Sequence, residues 1–129
     1  MALLVYSMAG CASMSSQVTP LVEFRRSGGI TGRDERLVVR SDGTVQLSRR
    51  GAVAEFRIGG DTLARIRELL GSVNFARLRA EYLPPRPGAD LFEYVVVYKD
   101  RTIRTMDTAV PAELAPLIQL LSGVANRRT

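Results

Sequence analysis

Few residues of this chain could carry out catalytic chemistry. The sequence contains no histidine and a single cysteine, Cys11. Without an imidazole the chain cannot form a Ser-His-Asp triad, a Cys-His pair or a histidine metal site. What remains are carboxylates, lysine, tyrosine and hydroxyls. We therefore expect a binding protein rather than an enzyme, with no cofactor and no bound metal.

Three carboxylates are grouped beside a predicted loop, namely Glu81, Asp90 and Glu93. Glycosidases use two carboxylates held at a fixed separation. Nothing in the spacing of these three pairs any two of them, and a solvated loop rim explains them equally well. They do not change the expectation of a non-enzymatic protein.

The charge of the chain gives little support to nucleic-acid binding. Seventeen arginines and one lysine accompany 13 acidic residues, for a formal net charge of +5. The arginines are spread along the chain without an aromatic stacking platform, so we expect no nucleic-acid partner. A length of 129 residues fits one domain.

The N-terminal segment differs sharply from the rest in charge, since no charged side chain occurs before Glu23. We predict that residues 1–10 are a truncated lipoprotein signal segment, because an apolar run precedes Met8-Ala9-Gly10-Cys11, which resembles a bacterial lipobox. Cys11 would then be lipidated, and residues 11–19 would form a flexible tether. This interpretation places the protein in the cell envelope, anchored on the extracytoplasmic side. An incidental apolar tail would instead leave it in the cytoplasm.

The first predicted strand runs from Val18 to Arg26 and leads into a glycine-rich loop, Ser27–Gly32. Three glycines within five positions permit left-handed backbone and close approach of other segments. No helix follows, so the loop lacks the context of a nucleotide-binding motif. Ile30 lies inside this loop. The sequence leaves open whether its side chain is exposed at the tip or buried under the turn.

The segments on either side of Ser41-Asp42-Gly43 predict a hairpin whose register can be argued. A two-residue turn would pair Val39 with Gln46, which mixes apolar and polar partners. A three-residue turn with Gly43 in the left-handed region pairs Val39 with Val45 and keeps the apolar side chains on one face. We predict the three-residue turn.

The remaining pattern predicts further strands and two helices. A strand with alternating apolar residues precedes a helix capped by Asp61, and the apolar stripe of this helix comprises Leu63, Ile66, Leu69, Leu70 and Val73. A second hairpin and a helix that becomes regular near Pro116 follow. The order β-β-β-α-β-β-α predicts an α+β two-layer sandwich over residues 20–125. In it, an antiparallel sheet of four to five strands packs against two helices.

Several segments of the chain resemble the emfourin family, protein inhibitors of protealysin and related thermolysin-like metalloproteases. The strongest likeness is the spaced combination of Arg26-Ser27-Gly28-Gly29 and Pro87-Gly88-Ala89-Asp90. The resemblance covers nearly all of residues 22–122, and its matching segments are Phe24–Gly32, Phe75–Leu78, Tyr82, Pro87–Tyr94 and Pro111–Ile118. Two features depart from the family pattern: an extra strand within residues 49–59 and the predicted lipid anchor.

The resemblance implies an inhibitor whose partner is a thermolysin-like metalloprotease and which occupies the active-site cleft with an exposed loop. We expect the protein to be a monomer. Ile30 could fill the pocket that these enzymes offer to a bulky apolar residue, and Asp90 or Leu91 in a second loop is the competing candidate. The candidate contact residues are Ser27, Gly28, Gly29, Ile30, Thr31, Gly32, Asp90 and Leu91. The alternative is a lipid-anchored envelope module whose arginines bind an acidic polymer or another envelope protein.

Overall fold

The structure, a computed structural model, describes residues 19–86 and 90–127. The predicted signal segment, Cys11 and all of the predicted tether except Thr19 lie outside these residues, as do Pro87, Gly88 and Ala89. The strands are β1 (Pro20–Gly28), β2 (Arg33–Arg40), β3 (Thr44–Arg49), β4 (Ala52–Arg57), β5 (Glu81–Tyr82), β6 (Phe92–Tyr98) and β7 (Arg101–Met106). The helices are α1 (Gly60–Ser72) and α2 (Ala115–Asn126), with a short 3₁₀ helix at Phe75–Arg77.

The α+β class with two helices is confirmed, whereas the predicted sheet was too small. The seven described strands lie in the order β4-β3-β2-β1-β6-β7-β5. Neighbouring strands are antiparallel except for β5, which runs parallel to β7. Four strands precede α1, not three. Strand β5 escaped prediction because two residues are too few to show an alternating pattern.

One face of the sheet carries the core. Inward-facing strand residues such as Phe24, Val39 and Val96 are buried together with Ile66 of α1 and Leu121 of α2. The alternation of side chains along each strand sends the intervening residues to the opposite face. We call this opposite side the open face, because neither helix contributes to it. It is rich in arginine and glutamate.

The predicted register of the first hairpin is confirmed. Val39 pairs with Val45 and Leu37 with Leu47, and all four side chains are buried. Gly43 has a φ of 91°, a left-handed conformation that glycine adopts without steric cost. Burial of the apolar face therefore selects the three-residue turn.

The helix ends agree only in part with the sequence prediction. Helix α1 begins at Gly60 after Gly59, and no side chain caps it. The capping role assigned to Asp61 was wrong: Asp61 lies within the first turn, where its negative charge still suits the helix dipole. Helix α2 has Pro116 in its first turn, where a missing N–H costs no intrahelical bond.

Candidate functional site

The glycine-rich segment forms the connection between β1 and β2. Ser27 and Gly28 continue β1, so the loop itself is shorter than predicted and spans Gly29–Gly32, which we call the tip loop. It closes on itself through a hydrogen bond from the Gly32 N–H to the Gly29 carbonyl oxygen at 3.1 Å. Both glycines have positive φ, 76° and 66°. The loop is a tight turn rather than a wide connection.

Ile30 lies fully out in solvent at the tip of this loop. Its side chain is 89% exposed, the highest value among the exposed large apolar residues of the described structure. This decides between the two positions that the sequence left open. An exposed isoleucine on a short glycine turn is an apolar side chain that a pocket of a partner could surround.

The structure brings the two candidate loops together. The Gly29 N–H donates a hydrogen bond to the Leu91 carbonyl oxygen at 3.1 Å, and Gly28 pairs with Phe92 across the β1–β6 ladder. Asp90 is exposed and Leu91 is half-buried. All eight predicted contact residues therefore lie at the same end of the sheet, although they come from segments about 60 residues apart.

Two glycines permit this close approach. A Cβ atom on Gly28, whose φ is 100°, would lie 2.7 Å from the Leu91 carbonyl oxygen. A Cβ on Gly29 would lie 2.9 Å from Cε1 of the Phe92 ring. The ring of Phe92 therefore packs directly beneath the tip loop, and Arg33 Cζ lies 5.8 Å from its centroid. No local sequence pattern marks Phe92 as a support of the loop.

The start of β6 is fixed by Asp107, which immediately follows β7. Its carboxylate accepts hydrogen bonds from the Phe92 N–H at 2.9 Å and from the Tyr94 hydroxyl at 2.8 Å. Burial, together with this hydrogen bond to Asp107, raises the pKa of Tyr94 to about 12. The hydroxyl therefore stays protonated at neutral pH and keeps donating its hydrogen bond. Asp107 and Tyr94 thus hold the strand against which the tip loop rests.

Arg50 braces the tip loop from the opposite side. It lies in the two-residue turn between β3 and β4, and its Nη2 donates to the carbonyl oxygens of Thr31 at 2.6 Å and Gly32 at 2.7 Å. An open hollow of about 230 Å³ lies between this turn and the tip loop, and its lining residues are Thr31, Arg33, Asp34, Glu35, Arg49 and Arg50. No local pattern indicates this brace, because Arg50 and Gly32 are 18 positions apart in the chain.

We expect the Arg50→Ala variant to loosen the tip loop with little loss of global stability. It removes two hydrogen bonds to exposed carbonyls, each of which contributes about 1 kcal/mol. Amide hydrogen exchange at Gly32 should accelerate about tenfold, while the midpoint of thermal unfolding changes little. Arg57→Ala is the matched control, since Arg57 also donates to a carbonyl of an exposed turn, that of Asp42 at 3.3 Å. Unchanged exchange at Gly32 would mean that Arg50 does not hold the loop.

The grouped carboxylates do not converge on a common void. Arg104 lies between two of them, with Nη1 2.9 Å from Glu81 and Nε 2.6 Å from Glu93. Asp90 is exposed at the base of the second loop. Among the described residues, no set of three or more acidic or cysteine side chains is arranged to hold a metal ion.

Comparison with known proteins adds no relative. No family model matches the chain, and no curated protein matches it. None of the helices in the described part of the chain has the length and apolar character needed to cross a bilayer. The emfourin resemblance therefore stays a prediction that rests on the matching segments of the sequence. The geometry of the tip loop is a separate, structural observation.

Proposed function

We propose that this protein is a non-enzymatic inhibitor of a thermolysin-like metalloprotease, and that it acts by inserting the tip loop into the active-site cleft. The observation that carries the proposal is the exposed Ile30 on a loop braced from two sides. Burying an isoleucine side chain contributes about 1.5–3 kcal/mol. Ile30 is almost fully exposed in the free protein, so nearly all of this gain is available on binding.

The bracing of the loop supports the same function. An inhibitor loop that is already ordered loses less conformational entropy on binding than a mobile one. Here the Leu91 carbonyl oxygen holds Gly29 on one side and Arg50 holds Thr31 and Gly32 on the other. Both contacts use backbone groups of the loop, which leaves the Ile30 side chain free for a partner.

The mode of action that we propose is occupancy of the cleft without zinc chelation. Zinc prefers thiolate, imidazole or carboxylate ligands, and the tip loop, Gly29–Gly32, contains none of these groups. Asp90 is the nearest candidate carboxylate along the second loop, and it stays the competing contact residue. If Ile30 is the main contact, substitution of Ile30 weakens inhibition and substitution of Asp90 does not. If Asp90 is the main contact, the reverse holds.

The alternative, an arginine surface for an acidic polymer, has weaker support. The arginines of the open face are mostly engaged by glutamates: Glu23 accepts from Arg25 and Arg36, and Arg104 contacts Glu81 and Glu93. Such paired charges attract a polyanion less than an uncompensated basic patch does. A polyanion partner would also give strongly salt-dependent binding, whereas binding through Ile30 would be nearly insensitive to salt.

We expect Ile30→Asp to weaken inhibition of a susceptible protease strongly. The variant would bury a carboxylate in an apolar pocket, and loss of a central apolar anchor typically costs about 2 kcal/mol or more, so the inhibition constant should rise by at least about 30-fold. The assay is cleavage of a synthetic peptide by thermolysin and by protealysin, with increasing amounts of the full chain. Ile30→Leu, which keeps an apolar side chain of the same volume, is the control and should inhibit within a few-fold of the parent.

Two results would contradict this proposal. Full potency of a folded Ile30→Asp variant, together with loss of potency in Asp90→Asn, would move the contact to the second loop. Absence of inhibition by the parent chain across a panel of thermolysin-like proteases would remove the inhibitor function itself.

A further inference from the structure

Strand β4 forms a long, open edge of the sheet. It pairs with β3 in unbroken register from Arg57 opposite Thr44 to Ala52 opposite Arg49, and no described strand lies beyond it. All of its residues are exposed or half-buried, and Val53 is 58% exposed. The other edge of the sheet is β5, which has only two residues. Strand β4 is therefore the longest strand of the described sheet that is open along one whole side.

This edge lacks most of the devices that usually prevent strand addition. Natural sheets protect their edges with proline, bulges, very short strands or a run of charge. Strand β4 contains no proline or glycine, and its pairing with β3 shows no bulge. Its charges are Glu55 and Arg57, which are opposite in sign and lie on the same face. These two charges do not repel every added strand. In an identical strand that runs antiparallel, Arg57 and Glu55 can lie opposite Glu55 and Arg57.

The outward-facing backbone groups can be assigned from the β3–β4 turn. Arg50 and Gly51 both have positive φ, 49° and 89°, as in a two-residue hairpin turn. The residues that flank such a turn exchange hydrogen bonds, and the direction alternates along the strand. The Ile58 N–H, which donates to the Gly43 carbonyl oxygen at 3.0 Å, fits this alternation. The N–H and C=O groups of Val53, Glu55 and Arg57 therefore point away from β3.

We propose that the β4 edge binds the β4 edge of a second copy of this chain, forming a two-fold symmetric dimer with Phe56 at the axis. In this antiparallel register, Glu55 lies opposite the partner's Arg57, and the symmetry repeats the pair. Phe56 lies opposite the partner's Phe56 on the helix side of the sheet. This dimer departs from the monomer that we expected from the sequence.

Charge selects this register over its neighbours. An antiparallel pairing centred on Glu55 would set two glutamates opposite each other, and one centred on Ala54 would set Glu55 against the partner's Val53. Only the pairing centred on Phe56 forms two ion pairs, and cross-strand ion pairs stabilise a sheet whereas like charges destabilise it. The pairing centred on Glu55 would form one more hydrogen-bonded pair, because Val53, Glu55 and Arg57 would all face outward groups of the partner. It also sets the two carboxylates against each other, so the side chains favour the register centred on Phe56.

Side-chain size agrees with the same register. The register centred on Phe56 places the partner's Ile58 opposite Ala54. A hollow of about 190 Å³ lies beside Ala54, and its lining residues are Leu47, Arg49, Ala52, Val53 and Ala54. A large side chain thus meets small ones on the apolar face. Because each copy contributes its one long edge, the assembly closes at two copies.

The dimer leaves both tip loops accessible. Strand β4 starts beside the tip loop, since Arg50 contacts Thr31, and antiparallel pairing directs the two starts to opposite ends of the joined sheet. The interface and the proposed protease-binding loop are therefore separate. Dimer formation and protease inhibition can fail independently of each other.

The test compares the full chain with three variants by sedimentation equilibrium: Glu55→Arg, Arg57→Glu and the double exchange of both residues. Each single variant places like charges opposite each other twice, so the dissociation constant should rise about tenfold or more. The double variant restores two ion pairs of reversed polarity and should recover the parent affinity. Both side chains are exposed, and matching circular dichroism spectra and unfolding midpoints will verify that the variants are folded.

A monomeric parent chain at millimolar concentration would overturn the proposal. So would a dimer that all three variants form with unchanged affinity, because association would then use another surface. Loss of association in the double variant as well as in both single variants would exclude the register centred on Phe56.

Discussion

The Glu35→Ala variant will lose about 3–5 kcal/mol of unfolding free energy, because the substitution leaves a buried arginine without its counterion. Glu35 and Arg26 are 5% and 7% exposed. Glu35 Oε1 accepts from Arg26 Nε at 2.8 Å, and Oε2 accepts from Arg49 Nε at 2.6 Å. Removal of the carboxylate leaves the Arg26 guanidinium charged and desolvated, although its Nη2 can still donate to the Asn126 side-chain oxygen.

The same cluster joins the sheet to the end of α2. Arg26 Nη2 donates to the Asn126 side-chain oxygen at 2.8 Å, and Arg49 Nη2 donates to the Ala125 carbonyl oxygen. The carbonyl groups at a helix C-terminus lack intrahelical partners and attract cations. Glu35 holds both arginines in place, so we expect its loss to free the last turn of α2 as well.

Glu23 provides a matched control on the open face. Glu35 accepts hydrogen bonds from three arginines, because Arg33 donates to it at 3.2 Å as well. Glu23 accepts from two, Arg25 and Arg36, and these side chains are 56% and 53% exposed. Exposed ion pairs contribute up to about 1 kcal/mol. Urea unfolding should therefore show a loss for Glu35→Ala at least three times that for Glu23→Ala. Equal losses in the two variants would contradict the role of burial.

The pH dependence of unfolding gives a second readout of the Glu35 prediction. Burial alone would raise the pKa of Glu35, but its hydrogen bonds and charge interactions with Arg26 and Arg49 outweigh burial and lower it below 4.5. A carboxyl whose pKa is lower in the folded state stabilises the fold above its unfolded pKa, and this contribution is lost as the pH falls through the folded pKa. The parent should lose stability as the pH falls below about 4.5, and Glu35→Ala should lose less over the same range.

Local sequence pattern was enough to predict the elements in which only one register or one helix face buries the apolar side chains. The first hairpin shows this: only one register buries Val39, Val45 and Leu47 together, and the structure adopts it. The apolar stripe of α1 was similarly clear, because Ile66, Leu69 and Leu70 recur at helical spacing. In these places, short-range pattern and long-range packing agree.

Local pattern failed where distant partners decide the structure. Strand β2 begins with Arg33-Asp34-Glu35-Arg36, which reads as a solvated charged segment, yet Glu35 is buried. Its burial depends on arginines from β1 and β3 that converge only after the sheet forms. The candidate site divides in the same way. The glycines marked the tip loop, whereas the supports from Arg50 and Phe92 are contacts between distant segments.

Gly28→Ala should have the second large effect, with a loss of about 3–4 kcal/mol in unfolding free energy. Two costs combine at this position. The φ of 100° is unfavourable for any side chain, by about 1–2 kcal/mol. In addition, the new Cβ would lie 2.7 Å from the Leu91 carbonyl oxygen, and relief of such an overlap in packed structure typically costs about 1–3 kcal/mol.

Gly51→Ala separates these two costs. Gly51 has a similar φ of 89°, but a Cβ there would meet no atom within 4 Å, so only the conformational cost of about 1–2 kcal/mol applies. The difference between the two variants in urea unfolding measures how tightly the tip loop is held against β6. A difference of about 2 kcal/mol is expected, with loss of the Gly29–Leu91 hydrogen bond visible as faster exchange of the Gly29 amide. Equal losses would mean that the structure accommodates a Cβ between Gly28 and Leu91 without cost. The contact with Leu91 would then not hold the tip loop in place, and the ordered loop on which cleft occupancy depends would lack support on that side.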